Sequence, residues 1–199
     1  MKIILHRINN VNELNKIPTR FGVEIDIRAY KDKLILNHDP LIKGDYFEDY
    51  LDNFKHSFII ANIKEAGIED EVIRKLNKNK ITNFFLLDVE FPYIYKAIKK
   101  DFRKIAMRFS EFESIETLKN FKNKLDWVWI DTFNKFPINN NNIKLLNYFK
   151  KCIVCPERWG RKSDITKYKK LIKKNNYKID SVMTSKKSAH LWEDKFTKE

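Results

Sequence analysis

The feature that most constrains the fold of this chain is a regular alternation of short apolar runs with longer, lysine-rich stretches. Runs rich in β-branched and aromatic residues predict strands, and stretches whose apolar residues recur every three or four positions predict helices. This alternation is typical of consecutive βα units and a parallel sheet. Eight strands are predicted, at Lys2–Leu5, Gly22–Ile27, Ser57–Ile63, Asn83–Val89, Lys104–Phe109, Trp127–Ile130, Cys152–Cys155 and Ser181–Thr184.

Helices are predicted between these strands, and together they favour a small (β/α)8 barrel of the TIM type. The barrel would be a single domain over residues 1–199. An open doubly wound sheet is the alternative, but it would usually have fewer strands and a glycine-rich phosphate turn, and this chain has only 4 glycines. An extra strand, Lys33–Asn37, is predicted to form a hairpin after the second strand. The predicted helices are Val11–Ile17, Phe47–Phe54, Asp70–Asn77, Tyr93–Lys99, Ile115–Phe121, Asn142–Phe149 and Ile165–Lys174.

The charge of the chain favours an anionic partner. The 199 residues carry a formal net charge of +13, which suits phosphate esters, nucleic acid or acidic membranes. The lysines are spread along the chain rather than clustered, so we expect no nucleic-acid partner. Solvated surface is the alternative explanation for much of the excess charge.

The sequence predicts a cytoplasmic protein without a membrane span or a disulfide. The apolar run Met1–His6 is too short for a signal peptide and lacks a cleavage site, and no stretch approaches the roughly 18 to 20 apolar residues of a span. Cys152 and Cys155 could form a redox or metal half-site. Residues three apart in a strand face opposite sides, so we expect reduced, packed thiols instead.

Polar side chains follow most of the predicted strands. In a (β/α)8 barrel the active site lies at the carboxyl ends of the strands, so these residues are candidates for it. Polar loop residues at strand ends are the structural alternative for any one of them. The candidates are His6, Arg7, Glu24, Asp26, Arg28, Asn62, Lys64, Asp88, Glu90, Arg108, Ser110, Glu111, Asp131, Glu157, Arg158 and Lys186.

The pair Glu24 and Asp26 indicates a metal site. Two carboxylates within one apolar strand would repel each other and lose hydration unless a cation lay between them. Oxygen ligands suit Mg²⁺, Ca²⁺ or Mn²⁺ rather than zinc. The alternative is a strand whose alternate residues face solvent, with both carboxylates as ordinary exposed charges.

Two histidines and two cations complete a candidate site for phosphate-ester chemistry. His6 and His38 could act as general base and acid, because imidazole transfers protons near neutral pH. Arg7 and Lys64 could neutralise the phosphoryl oxygens in the transition state. His56 and His190 are predicted to be packed or surface residues.

In order and spacing, His6-Arg7, Glu24-x-Asp26, His38-Asp39 and Asn62-x-Lys64 resemble the signature of the glycerophosphodiester phosphodiesterases. Their relatives are the phospholipase D toxins and the phosphatidylinositol phospholipases. The match covers the first third of the chain. It implies a TIM barrel of the phospholipase C-like phosphodiesterase type, with His6 and His38 catalytic, Glu24 and Asp26 as metal ligands, and Arg7 and Lys64 binding phosphate.

The chain departs from the family at three places. Asn62 stands where the family usually has a third carboxylate ligand, and it offers one neutral oxygen as a metal ligand. The metal could therefore be bound more weakly, could use Asp88 or Glu90, or could be absent. Ile8 replaces the usual glycine, and the insertion after His38-Asp39 is short, so we expect a small lid and room for a larger headgroup. Trp159 is a candidate stacking surface, although a core or rim tryptophan is the alternative. The candidate rim residues are Asp88, Glu90, Arg108, Glu111, Asp131, Glu157 and Trp159.

The predicted activity is metal-dependent hydrolysis of a glycerophosphodiester or a related small phosphodiester. The nucleophile could be a neighbouring hydroxyl of the substrate or water, and either histidine could be the base. One alternative is a metal-independent enzyme, in which Arg28 or Lys64 replaces the metal. Another is a degenerate barrel that binds anionic headgroups without catalysis.

Overall fold

The computed structural model describes residues 1–193, and these residues form two compact units. The first unit is His6–Ile105; the second combines Met1–Leu5 with the described residues from Ala106 onward. The strands of the two units are β1 (Lys2–Leu5), β2 (Gly22–Tyr30), β3 (Lys33–Leu36), β4 (Asp45–Tyr46), β5 (Ile59–Ile63), β6 (Phe84–Leu87), β7 (Ala106–Phe109), β8 (Trp127–Ile130), β9 (Lys150–Val154) and β10 (Ser181–Thr184).

The helices lie between the strands in the order that the sequence predicts. Their apolar residues face the sheets, for example Val72 and Leu76 in α3 and Ile165 and Tyr168 in α7. The helices are α1 (Val11–Leu14), α2 (Phe47–Asp52), α3 (Glu69–Lys78), α4 (Phe91–Lys99), α5 (Ile115–Lys119), α6 (Ile143–Leu146), α7 (Asp164–Lys174) and α8 (Ala189–Trp192), with a 3-10 turn at Pro156–Trp159.

In the first unit the strand order is β4-β3-β2-β5-β6. Strand β5 is parallel to both β2 and β6, whereas β3 is antiparallel to β2 and β4. The parallel register sets Asp26 of β2 opposite Asn62 of β5. All five residues of β5 are buried, as are the first six of β2, so both faces of these strands are covered. This burial explains their near-continuous apolar sequences.

In the second unit the strand order is β1-β10-β9-β8-β7, and every pair is parallel. A core cluster of Cys155, Ile165, Tyr168, Val182 and Trp192 fixes α7 and α8 against the sheet. Each unit therefore carries an open run of five strands, and neither run closes on itself.

The structure corrects several boundaries. Strand β2 extends to Tyr30, because its last residues pair with β3. The predicted strand Cys152–Cys155 is β9, Lys150–Val154, and Cys155 lies just beyond its end. Both cysteines are buried and free, as expected. No helix among residues 1–193 has the length and apolar character needed to cross a bilayer.

Candidate active site

The candidate site is centred on two carboxylates within β2. Glu24 and Asp26 project from the same side of the strand, and each is only 1% exposed. This burial excludes the alternative in which they are ordinary surface charges. Asn62, which lies opposite Asp26 on β5, is 6% exposed. Two adjacent apolar strands thus enclose three polar side chains, an arrangement that has a desolvation cost and calls for compensating partners.

Glu24 has partners on both carboxylate oxygens. Its Oε1 accepts a hydrogen bond from the Asn62 side-chain amide at 2.9 Å, and its Oε2 accepts one from the Arg7 backbone N–H at 2.8 Å. His6 Nε2 lies 3.9 Å from Oε2. Burial, followed by the neighbouring Asp26 charge, raises the pKa of Glu24 to about 7. The site therefore disfavours two negative charges unless a cation is present.

Asp26 lies among cationic and amide groups. Its Oδ2 accepts a hydrogen bond from Asn9 Nδ2 at 2.9 Å, and Asn9 Oδ1 accepts the Asp26 backbone N–H at 2.8 Å. Arg7 Nε lies 3.8 Å from Oδ2, and Lys64 Nζ lies 3.2 Å from Oδ1. Lys64 Nζ is also 3.8 Å from Asp88 Oδ2. The two cations predicted to bind phosphate thus both lie beside Asp26.

At the centre, Asn62 Oδ1 is buried and accepts no hydrogen bond, whereas the buried Asp26 Oδ1 has the ion pair with Lys64 Nζ at 3.2 Å as its contact. Within residues 1–193, no group of three or more His, Cys, Asp or Glu side chains is arranged to hold a metal. The possible metal ligands are instead the carboxylates of Glu24 and Asp26 and the amide oxygen of Asn62. Mg²⁺ is commonly bound by one or two carboxylates and completes its coordination with water and phosphate oxygens. The donor set therefore fits an open site for a hard divalent cation.

His38 lies in the loop between β3 and β4, which we call the 37–44 loop. Arg28 Nε and Nη2 donate to the His38 carbonyl at 3.2 and 3.0 Å, and Arg28 Nη1 donates to the Lys64 carbonyl at 3.4 Å. His38 Nδ1 is 2.7 Å from Asp39 Oδ1. The hydrogen bond with His38 lowers the pKa of Asp39, and the nearby charges of Arg7 and Arg28 lower it further. Arg28 thus links the His38 loop to the residue that follows β5.

Two residues of the candidate site have left-handed backbones. Arg7 has φ 54° and Asp88 has φ 57°. Such conformations cost of order 1 kcal/mol or more for residues other than glycine, and they cluster at functional sites. At Arg7 the conformation accompanies two consecutive contacts with Glu24: the Arg7 N–H donates to the carboxylate, and the Ile8 N–H donates to the carbonyl at 2.9 Å. The predicted rim residue Glu90 is exposed and is the N-cap residue just before α4.

The other predicted rim residues belong to the second unit. Arg108 donates to Asp131 Oδ2 at 2.6 Å, and the Trp129 indole donates to the same oxygen at 3.1 Å. Burial raises the pKa of Asp131 to about 6, although Arg108 lowers it. Glu157 Oε1 accepts hydrogen bonds from the Thr184 hydroxyl at 2.8 Å and the Ser185 N–H at 2.5 Å, so it fixes the end of β10.

Trp159 lies in a surface cluster of aromatic rings. Its ring centroid is 4.6 Å from that of Phe133, which is 5.7 Å from that of Phe112. Trp159 is 39% exposed, so it is a surface residue rather than a core residue. Glu111 lies beside these rings and accepts the Asn134 N–H at 2.6 Å.

The structure brings together seven of the predicted residues through direct contacts, and it ties the His38 loop to them through Arg28. The seven are His6, Arg7, Glu24, Asp26, Asn62, Lys64 and Asp88. Asn9 holds Asp26 through two hydrogen bonds, and this residue was not predicted from the sequence. Only its place three residues after His6 could have indicated this role.

Three solved structures that share the fold of this chain are assigned to the glycerophosphoryl diester phosphodiesterases. One, from Agrobacterium tumefaciens, is 12% identical and has a TM-score of 0.65 over 96% of each chain. A second, from Parabacteroides distasonis, is 12% identical, with a TM-score of 0.61 over 92% of this chain and 81% of that one. A third, also from A. tumefaciens, is 11% identical, with a TM-score of 0.62 over 96% of this chain and 99% of that one.

The structural similarity establishes the fold. No protein-family model matches the sequence, and no curated protein is significantly similar to it. The near-complete coverage of the solved structures identifies a TIM-barrel-like α/β fold, as the βα alternation predicts, although neither five-stranded run of the described residues closes as a (β/α)8 barrel would.

Proposed function

We propose that this protein is a phosphodiesterase that cleaves a glycerophosphodiester or a related small phosphodiester with the help of a divalent metal. The observation that carries the proposal is the pair of fully buried carboxylates, Glu24 and Asp26, flanked by Arg7 and Lys64 in a chain with the fold of glycerophosphoryl diester phosphodiesterases. A buried anionic centre beside cations suits a metal ion and a phosphoryl group together.

Glu24, Asp26 and the Asn62 carbonyl oxygen would hold the metal ion, which is Mg²⁺, Ca²⁺ or Mn²⁺ by the chemistry of these donors. When bound, the ion supplies Lewis acidity and neutralises phosphoryl charge. Asn9 keeps Asp26 in place through its paired hydrogen bonds. Arg7 and Lys64 bind the non-bridging oxygens and stabilise the charge that develops on them.

His6 and His38 act as the acid–base pair in this proposal. The Asp39 carboxylate, 2.7 Å from His38 Nδ1, favours the tautomer with its proton on Nδ1. This tautomer leaves Nε2 of His38 able to take a proton from the attacking hydroxyl or water. His6, next to Glu24, then protonates the leaving alcohol; the opposite assignment uses the same groups with their roles exchanged.

A metal-independent mechanism is the second candidate, and one contact favours it. Lys64 Nζ already lies 3.2 Å from the Asp26 oxygen that would face a metal. In this variant Lys64 and Arg7 supply all of the positive charge for phosphate binding. The guanidinium of Arg28 is engaged by two backbone carbonyls, so we propose Lys64 as the cation that takes the place of the metal in this variant.

The test is turnover of glycerophosphocholine and bis-p-nitrophenyl phosphate before and after exhaustive chelation. We expect activity to fall in EDTA and to return with Mg²⁺, Mn²⁺ or Ca²⁺. We expect His38→Ala and His6→Ala each to lower kcat by about 100-fold or more, while His190→Ala, an exposed histidine on α8, leaves it unchanged. Full activity after chelation supports the metal-independent candidate, and activity that survives both site variants contradicts the proposal.

A further inference from the structure

The tip of the 37–44 loop exposes two aliphatic side chains. Leu41 is 98% exposed and Ile42 is 53% exposed. Leu41 also has a left-handed backbone, with φ 63°, in a turn that follows Pro40. Glycine or asparagine is the favoured residue in such a turn, because a side chain at positive φ is strained. The side chain of Leu41 is almost fully exposed, so it contributes no packing to the core of this unit.

Strand pairing and hydrogen bonds hold the base of the 37–44 loop. Leu36 and Asp45 pair at its base, where β3 meets β4. Asn37 donates to the Lys43 carbonyl at 3.4 Å and accepts the Asp39 N–H at 2.9 Å. A Cβ on Gly44 would lie 2.0 Å from the Leu36 carbonyl oxygen, so only glycine fits this close approach. These contacts fix the base of the 37–44 loop, and its tip projects outward from this base.

Two cationic side chains lie near the aromatic ring that follows this loop. Lys33 Nζ lies 4.7 Å and Lys43 Nζ lies 5.8 Å from the ring centroid of Tyr46, which follows the loop. Both lysines are exposed. Asp39, the acidic residue of the loop, is already engaged by His38. Exposed aliphatic residues beside lysines, in a chain of net charge +13, are complementary to an anionic lipid surface.

We infer that the 37–44 loop is an anchor for anionic membranes, with Leu41 and Ile42 entering the interface and Lys33 and Lys43 meeting the lipid headgroups. The anchor goes beyond the proposed function. Its consequence for catalysis rests on that function: the loop that enters the interface also carries His38, so the substrate would be a phosphodiester on a lipid.

The test is cosedimentation of the full chain with vesicles of phosphatidylcholine, with and without phosphatidylglycerol. We expect binding that requires phosphatidylglycerol and weakens with salt. Leu41→Ser with Ile42→Ser should lower the partition coefficient by about tenfold or more, and Lys33→Gln with Lys43→Gln should lower it by a similar factor. The matched control is Phe91→Ser with Tyr95→Ser, which removes two exposed rings from α4 and should leave binding unchanged.

Equal binding by the parent and the Leu41/Ile42 variant would overturn the inference, as would a parent that binds neither vesicle. Self-association of the parent in sedimentation velocity, lost in the Leu41/Ile42 variant without any vesicle binding, would assign the loop to a second copy of the chain instead. Vesicle binding does not require turnover, so His6→Ala, which changes a histidine outside the loop, should bind as the parent does. A bound but inactive parent would therefore contradict the proposed function and leave the anchor intact.

Discussion

The two polar atoms of the Asn62 side chain differ in their hydrogen bonding. Its Nδ2 donates to Glu24, while its Oδ1 is buried without a donor. A buried acceptor without a partner costs about 1–3 kcal/mol. An ion that accepted electron density from Oδ1 would remove this penalty, so the residue is suited to a neutral metal ligand.

Asn62→Asp is predicted to tighten metal binding, because a third carboxylate restores charge to the ion site. We expect the dissociation constant for Mg²⁺ or Mn²⁺, measured by calorimetry, to fall by about tenfold, and Asn62→Ala to raise it. Turnover is a poorer readout, because additional negative charge beside a phosphodiester weakens the stabilisation of its transition state. The same constant in all three proteins would show that Asn62 is not a ligand.

Asp131→Asn is predicted to change the pH dependence of stability. Burial raises the pKa of Asp131 from 3.8 to about 6, so between these values the folded state holds the proton more tightly than the unfolded state. The free energy of unfolding of the parent should therefore fall as pH rises from about 4 to 6. Asparagine does not titrate, so the free energy of unfolding of the variant relative to that of the parent should grow by roughly 1–3 kcal/mol between pH 4 and 7.

Denaturant unfolding at several pH values measures this difference for Asp131→Asn. Asp32→Asn, in the exposed turn between β2 and β3, is the control and should show no comparable trend. A relative stability that does not vary with pH would mean that Arg108 fully compensates for the burial of Asp131.

Residue types and spacing predicted that Glu24 and Asp26 would lie together, because strand alternation alone sets them on one side of β2. The same reasoning could not find Asn9 or the bracing role of Arg28. Asn9 acts from a loop with no periodicity, and Arg28 acts on backbone carbonyls that come together only in the folded chain.

At the scale of elements, hydrophobic periodicity predicted the strands well and the short connecting elements poorly. All eight predicted strands are present, because each is a compact run with buried faces. Strand β4 has only 2 residues and α8 only 4, which is too few for a period to be visible. The extension of β2 to Tyr30 could not be predicted either, since it depends on pairing with β3 rather than on its own sequence.

Gly44→Ala is predicted to destabilise the hairpin of β3 and β4. The added Cβ would meet the Leu36 carbonyl oxygen at 2.0 Å, so the backbone must move. We expect a loss of about 1–3 kcal/mol in the free energy of unfolding. Gly67→Ala is the comparison, because Gly67 has open space around it but φ 96°, and about 1 kcal/mol is expected there. Smaller losses at Gly44 than at Gly67 would contradict the close approach.

For the whole molecule, divalent cations are predicted to raise the thermal midpoint. A ligand that binds only the folded state adds about 2.7 kcal/mol at one hundred times its dissociation constant. We expect Mg²⁺, Mn²⁺ or Ca²⁺ to raise Tm in differential scanning fluorimetry of EDTA-treated protein, and Asp26→Asn to abolish the increase. A shift that persists in Asp26→Asn would place the ion elsewhere. This readout is independent of activity and so separates metal binding from turnover.

The residues of the candidate site, from His6 to Asp88, all fall within the uninterrupted unit His6–Ile105. Genetic recombination acts on contiguous sequence, so a single crossover near the junction of Ile105 and Ala106 would transfer these residues as one block. Chimaeras joined there with another chain of this fold would take the candidate site residues from this chain and the later strands from the other parent. Natural or directed shuffling can thus diversify one part of the gene while the other is inherited unchanged.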